Sequence, residues 1–163
     1  SGELCHKYPL LNLHPALPTG PIGTWQEVIW DLLEHRASHT GAMIHLATEE
    51  VDRGPVVSYF KIPITGGVFD QHWPLLETHD LNVIKKQQGE SFRLFNLIRQ
   101  AEYIREPYLL LETLKSITNK ALTIEGMTIL DGSHKPLADS APLGLCLTGQ
   151  VEASLKRDIA DLS

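Results

Sequence analysis

The sequence predicts an α/β domain, and three observations carry that prediction. Two stretches, 11–18 and 45–55, each begin as a short apolar run and break into polar residues and prolines, as a buried strand does where it enters a loop. Apolar residues recur at helical spacing over 25–36, and again from 92 to about 116. Short β-rich runs bounded by turn residues lie between and after these segments, so strands and helices alternate along the chain.

Composition bounds what such a domain can be. At 163 residues, 42% of them hydrophobic, the chain fits one domain with its own core. Acidic residues outnumber basic ones by 20 to 14, and the formal net charge of -6 argues against a nucleic-acid surface. Cys5 and Cys146 lie far apart with no CxxC spacing, so two free thiols are expected rather than a zinc ribbon or a redox pair. No apolar run is long enough to span a bilayer, and no secretory signal is present, which predicts a cytoplasmic protein without a membrane partner.

The first strand candidate carries the most chemistry. In Leu11-Asn12-Leu13-His14-Pro15, residues two apart on an extended segment share a face, so Asn12 and His14 point the same way. A side-chain amide donates to an oxygen that gains negative charge, and an imidazole gives or takes a proton near neutral pH. Asp52, in the second loop, adds a carboxylate that can accept a proton or hold an imidazolium. Such a set suits acyl transfer through a tetrahedral intermediate. It includes no activated Ser or Cys, so the nucleophile must come from a substrate. Plainer readings stand beside this one: Asn-X-His-Pro also makes an ordinary turn, His45 a hydrogen-bonded core histidine, and Asp52 a turn former.

The remaining elements follow in order. Thr24 with Glu27 forms a capping box for a helix over 25–36, in which Val28, Ile29, Leu32 and Leu33 make the apolar face and Trp25 and Trp30 pack. Strands follow at 42–46 and 56–64, hairpin-like around the loop that bears Asp52, with Pro63 placing the end of the second near an edge. Residues 65–91 hold Asp70, His72, Glu77, His79 and Asp80, but in no metal-ligand pattern, and no metal is expected. A lid over the site is the more useful expectation for this segment. One helix kinked at Pro107 is expected from 92 to about 116. A hairpin around Glu125-Gly126 joins 121–124 to 127–130. The tail, 137–163, ends in a short helix whose roles are docking on the domain or self-association, which leaves a homo-oligomer open.

Taken together, these residues resemble the formyltransferase family. Asn12, His14 and Pro15 match its Asn-X-His-Pro segment, Thr40, Gly41 and His45 its Thr-Gly-X-X-X-His strand, and Val51, Asp52, Gly54 and Pro55 its acidic Gly-Pro loop. Arg99, Glu102 and Pro107 match its long helix. The resemblance implies a Rossmann-type, mostly parallel sheet flanked by helices, with a C-terminal β-hairpin. The family's N-terminal half, with its glycine-rich phosphate loop, has no counterpart here. Residues 1–136 would then be a partial catalytic domain with an insertion at about 65–91. The resemblance also implies catalysis by Asn12, His14 and Asp52, supported by His45, Gly54 and Pro55. The formyl donor would be 10-formyltetrahydrofolate, and the acceptor a small-molecule primary amine, first of all glycinamide ribonucleotide in purine biosynthesis. Two alternatives are a formyltransferase with another amine acceptor and a catalytically silent binding domain.

Overall fold

A computed structural model describes residues 8–48 and 53–161. Strands β1 (Leu11–His14), β2 (His39–Leu46), β3 (Val56–Pro63) and β6 (Leu145–Cys146) form a four-stranded sheet in the order β1-β2-β3-β6. The expectation of a mostly parallel sheet is corrected. β1 pairs antiparallel with β2 and β2 antiparallel with β3, and only β3 and β6 run parallel. The reason lies in the connections. A loop returns the chain from β2 directly into β3, which only antiparallel neighbours allow. Helix α1 (Trp25–Glu34), between β1 and β2, does not cross the sheet face as a parallel crossover would. It packs with Ala16, Ile64 and residues 76–98, a cluster that includes no residue of β1, β2 or β3. The result is an α/β fold with a mixed sheet.

Local sequence explains α1 well. Thr24 Oγ1 accepts from Glu27 N at 3.3 Å while the Glu27 carboxylate accepts from Thr24 N at 2.7 Å, completing the expected capping box. The Thr24 N–H foremost, and then the Thr24 hydroxyl, which donates to the same carboxylate at 2.9 Å, hold the Glu27 carboxyl below its ordinary value. Val28, Ile29, Trp30, Leu32 and Leu33 are buried, and Trp30 meets Phe95 with ring centroids 4.8 Å apart.

Residues 65–91 fold into short pieces that belong to this same core. After a 3₁₀ turn (Gly67–Phe69) come α2 (Leu75–Thr78), α3 (Leu81–Gln88) and a second 3₁₀ turn (Gly89–Ser91). Leu76 and Ile84 are buried beside α1, and Trp73 Nε1 donates to the Ile64 carbonyl at 2.6 Å. Asp80 caps α3 by accepting from Asn82 N at 2.7 Å, and Asp70 accepts from Gly66 N at 2.6 Å. Among the described residues, no three of His, Cys, Asp and Glu gather as metal ligands would.

The kinked helix expected over 92–116 is instead two helices, α4 (Arg93–Tyr103) and α5 (Glu106–Thr118). Pro107 sits in the first turn of α5, where its missing N–H breaks no helical bond. Ala42, Ile44, Leu46, Val57, Phe60 and Ile62 of the sheet pack against Leu109 of α5. Leu122 and Ile129, from a hairpin of β4 (Leu122–Glu125) and β5 (Thr128–Asp131), close that core. The hairpin lies one residue later than expected, with Gly126 at φ +59 in its turn.

Residues 137–161 are a working part of the fold. Helix α6 (Leu137–Ser140) leads to β6, which extends the sheet, and to α7 (Thr148–Asp161), which is long rather than short. Leu147 N donates to the Tyr59 carbonyl at 2.8 Å, and Lys61 N donates to Thr148 Oγ1 at 2.9 Å. Val151 is fully buried, and the Arg105 guanidinium pairs with both carboxylate oxygens of Glu152. Cys146 is an exposed free thiol, and Cys5 lies outside the described residues. No helix among the described residues is long and apolar enough to cross a membrane.

Candidate active site

The site is built at the β1–β2 ladder. Asn12 pairs with His45 and His14 with Met43, so all four side chains lie on one face of the sheet. The strand's alternation brings Asn12 and His14 together as expected, but into different surroundings. Asn12 is exposed, whereas His14 is only 3% exposed. His14 Nε2 is 3.4 Å from the carbonyl oxygen of Pro21, a long contact that ties the ring to the loop after β1.

His45 is 1% exposed and contacts polar groups through both ring nitrogens. Its Nε2 is 3.1 Å from Asn12 Nδ2, and its Nδ1 is 3.1 Å from the carbonyl oxygen of Leu46. The ladder between β2 and β3 is in regular register from His39 to Ile44 and shifts between Ile44 and His45. Ile44 faces Ser58 and His45 faces Val56, so the extra residue is Val57 on β3, and His45 keeps its place in the β1–β2 ladder.

Two glycines let backbone pack where no side chain fits. At Gly41 an added Cβ would stand 2.0 Å from the Phe60 carbonyl oxygen and 2.7 Å from Leu17 Cδ2. Leu17, in the loop after His14, therefore lies directly over β2. At Gly54 an added Cβ would stand 1.6 Å from the Leu46 carbonyl oxygen. Pro55 secures the same point, because its carbonyl accepts from Leu46 N at 2.9 Å. Gly54 and Pro55 thus fasten the two ends of the acidic loop together. Ala47 N donates to the Leu10 carbonyl at 2.8 Å, so the loop is rooted beside β1 at the end that carries Asn12. Asp52 and Val51 lie outside the described residues. Beyond Pro55 and Val56, a groove of about 300 Å³ runs between the hairpin and α6, lined by Met127, Ile129 and Leu137.

One unusual carboxyl lies behind the site, on the opposite face of β2. Glu102 of α4 is fully buried, accepts from Thr40 Oγ1 at 2.5 Å, and sits 3.8 Å from Arg99 Nη1. Its Oε2 has no hydrogen-bond partner among the described residues. Burial pushes the carboxyl up to about 8, against the pull of the Thr40 hydroxyl and the Arg99 charge. A legible signal existed: Glu102 follows Phe95 and Ile98 at helical spacing, which puts a carboxylate on the helix's apolar stripe.

The arrangement offers an exposed amide beside a nearly buried imidazole, at the root of a loop that carries a carboxylate in sequence. No model of a known protein family matches the chain. A curated relative, the phosphoribosylglycinamide formyltransferase of Dictyostelium discoideum, is 42% identical over 57 residues, which is 34% of this chain and 28% of that protein. Among solved structures, phosphoribosylglycinamide formyltransferase from Coxiella burnetii aligns with it at a TM-score of 0.48 and 20% identity, with 83% of this chain and 49% of that chain covered. The enzyme of the same name from Anaplasma phagocytophilum gives a TM-score of 0.46 at 18% identity, covering 83% of this chain and 51% of that chain. This chain spans about half the length of those structures or less.

Proposed function

We propose that this chain contributes the catalytic half of a folate-dependent formyltransferase acting in the cytoplasm. The formyl donor is 10-formyltetrahydrofolate and the acceptor is the primary amine of glycinamide ribonucleotide. The observation that carries this reading is the cross-strand pair of Asn12 and His45, with His14 on the same face beside the root of the acidic loop. The curated relative's name supplies the reaction.

In this reading the acceptor nitrogen attacks the formyl carbon and forms a C–N bond. The carbonyl oxygen becomes an oxyanion, which an Asn12 N–H and the protonated His14 ring hold. Asp52, directly or through a water, takes a proton from that nitrogen, which becomes cationic as the neutral amine bonds to the formyl carbon. The bond from the formyl carbon to the folate nitrogen then breaks, and that nitrogen regains a proton. The products are the formylated amine and tetrahydrofolate.

The test is a formyl-transfer assay with 10-formyltetrahydrofolate and glycinamide ribonucleotide, run beside calorimetric titration of each ligand. Formylated product supports the proposal. Turnover with a different amine would move the acceptor, while binding without turnover would make the chain a silent binding domain.

A further inference from the structure

A single nitrogen of Arg99 stands between two carboxyls. Its Nη1 pairs with Glu106 Oε1 at 2.5 Å and lies 3.8 Å from Glu102 Oε2, the oxygen of the buried carboxyl that has no hydrogen-bond partner among the described residues. The same guanidinium is stacked between two rings, 4.9 Å from the centroid of Trp25 and 5.1 Å from that of Tyr103. Donor and acceptor chemistry explains why the 3.8 Å gap stays open. Glu102 Oε1 accepts from the Thr40 hydroxyl, so a neutral Glu102 carries its proton on Oε2. An O–H then meets an N–H, and two donors do not bond. Loss of that proton to solvent turns Oε2 into an acceptor, and an unpaired anion at full burial is costly until a cation reaches it. A charge-assisted bond needs about 2.8 Å, so the guanidinium has about 1 Å to travel.

We propose that Arg99 is the moving part of a proton-controlled switch: while Glu102 is neutral the guanidinium belongs to Glu106, and when Glu102 ionises it is drawn in to Oε2 and slides between the rings of Trp25 and Tyr103. The switch stands on this geometry and does not depend on the formyl-transfer reading. The groups that act on the Glu102 carboxyl are Arg99 from its own helix, Glu106 from α5 and the Thr40 hydroxyl from β2, while α1 brings the uncharged ring of Trp25 to the cluster. Burial is the largest influence and holds the carboxyl at about 8, so neutral and ionised forms are both reached on either side of mildly alkaline pH. Trp25 opens α1 just after Pro21, whose carbonyl contacts His14 Nε2. The moving guanidinium therefore abuts the loop that lies on the active-site face.

The test follows three signals of the isotope-labelled chain against pH. The Glu102 carboxyl carbon and the Arg99 Nε–Cζ correlation should move together with one midpoint at about 8, and tryptophan emission should shift over the same window. Glu102→Gln should leave the Arg99 signal and the emission flat. Arg99→Met should abolish the emission change while the carboxyl still titrates, at a higher midpoint because the neighbouring cation is gone. Trp25→Phe should keep the Arg99 shift and lose the emission change, which assigns the reporter. A Glu102 carboxyl already ionised at neutral pH, or an Arg99 signal that stays fixed while Glu102 titrates, overturns the proposal. So does an emission change that survives in Glu102→Gln or Arg99→Met. The two wild-type resonance signals decide the matter even if a variant does not fold.

Discussion

Gly54 lies against the carbonyl of Leu46 so closely that an added Cβ would stand 1.6 Å from its oxygen. The glycine is needed for space rather than for backbone freedom, since its φ is not in the left-handed region. Gly54→Ala must therefore push the two ends of the acidic loop apart. The expected result is a loss of about 1–3 kcal/mol in urea denaturation, the usual range for forced overpacking, with loss of formyl transfer. Wild-type stability in this variant would show that the closure is loose.

Asn12 is exposed and contributes little packing, so its removal reads function rather than folding. Asn12→Ala should lower kcat by roughly a hundredfold, as loss of one oxyanion donor does, with the melting temperature nearly unchanged. Steady-state kinetics and a thermal scan check both halves of that expectation. An unchanged rate would remove Asn12 from the mechanism.

Glu102 ties stability to pH. Burial raises its carboxyl from the ordinary value of 4.5 to about 8 in the folded chain. The folded state keeps a proton that the unfolded state releases above about 4.5, so this contribution is complete below 4.5 and is lost as pH rises to about 8. Glu102→Gln cannot ionise. Urea denaturation of both proteins should show the variant gaining on the wild type across that window, with a constant difference outside it. Parallel curves throughout would mean that the buried carboxyl is ionised.

Leu147, between β6 and α7, is 2% exposed in the core formed with the sheet. Leu147→Ala should cost about 2–5 kcal/mol by urea denaturation, as large-to-small changes in packed cores do. A cost near zero would make residues 137–161 an appendage.

Several features were legible because they depend on near neighbours. The capping box of Thr24 and Glu27, the shared face of Asn12 and His14, and the turn at Gly126 are each decided within a few residues. Pro107 was half legible: proline stops a helix from continuing unbroken, but the same residue kinks one helix or begins another, and the local pattern does not choose. The packing of the insertion at 65–91, expected as a lid, was not legible. Leu76 and Ile84, with Phe69, Trp73 and Leu81 packed beside them, join the cluster of α1 and α4, a match between distant segments that no local pattern names.

By itself the sequence determined an α/β chain, the places of α1, β2, β3 and the β4–β5 hairpin to within a few residues, and a face on which an amide and an imidazole meet, since these follow from periods of two and 3.6 residues along one segment. Only the tertiary structure decided that the sheet is mixed with antiparallel neighbours, that the buried ring of His45 meets Asn12, and that β6 and α7 complete the core. Strand direction, register and cross-strand partners depend on how distant segments approach one another, and hydrophobic burial drives that approach without naming the partner.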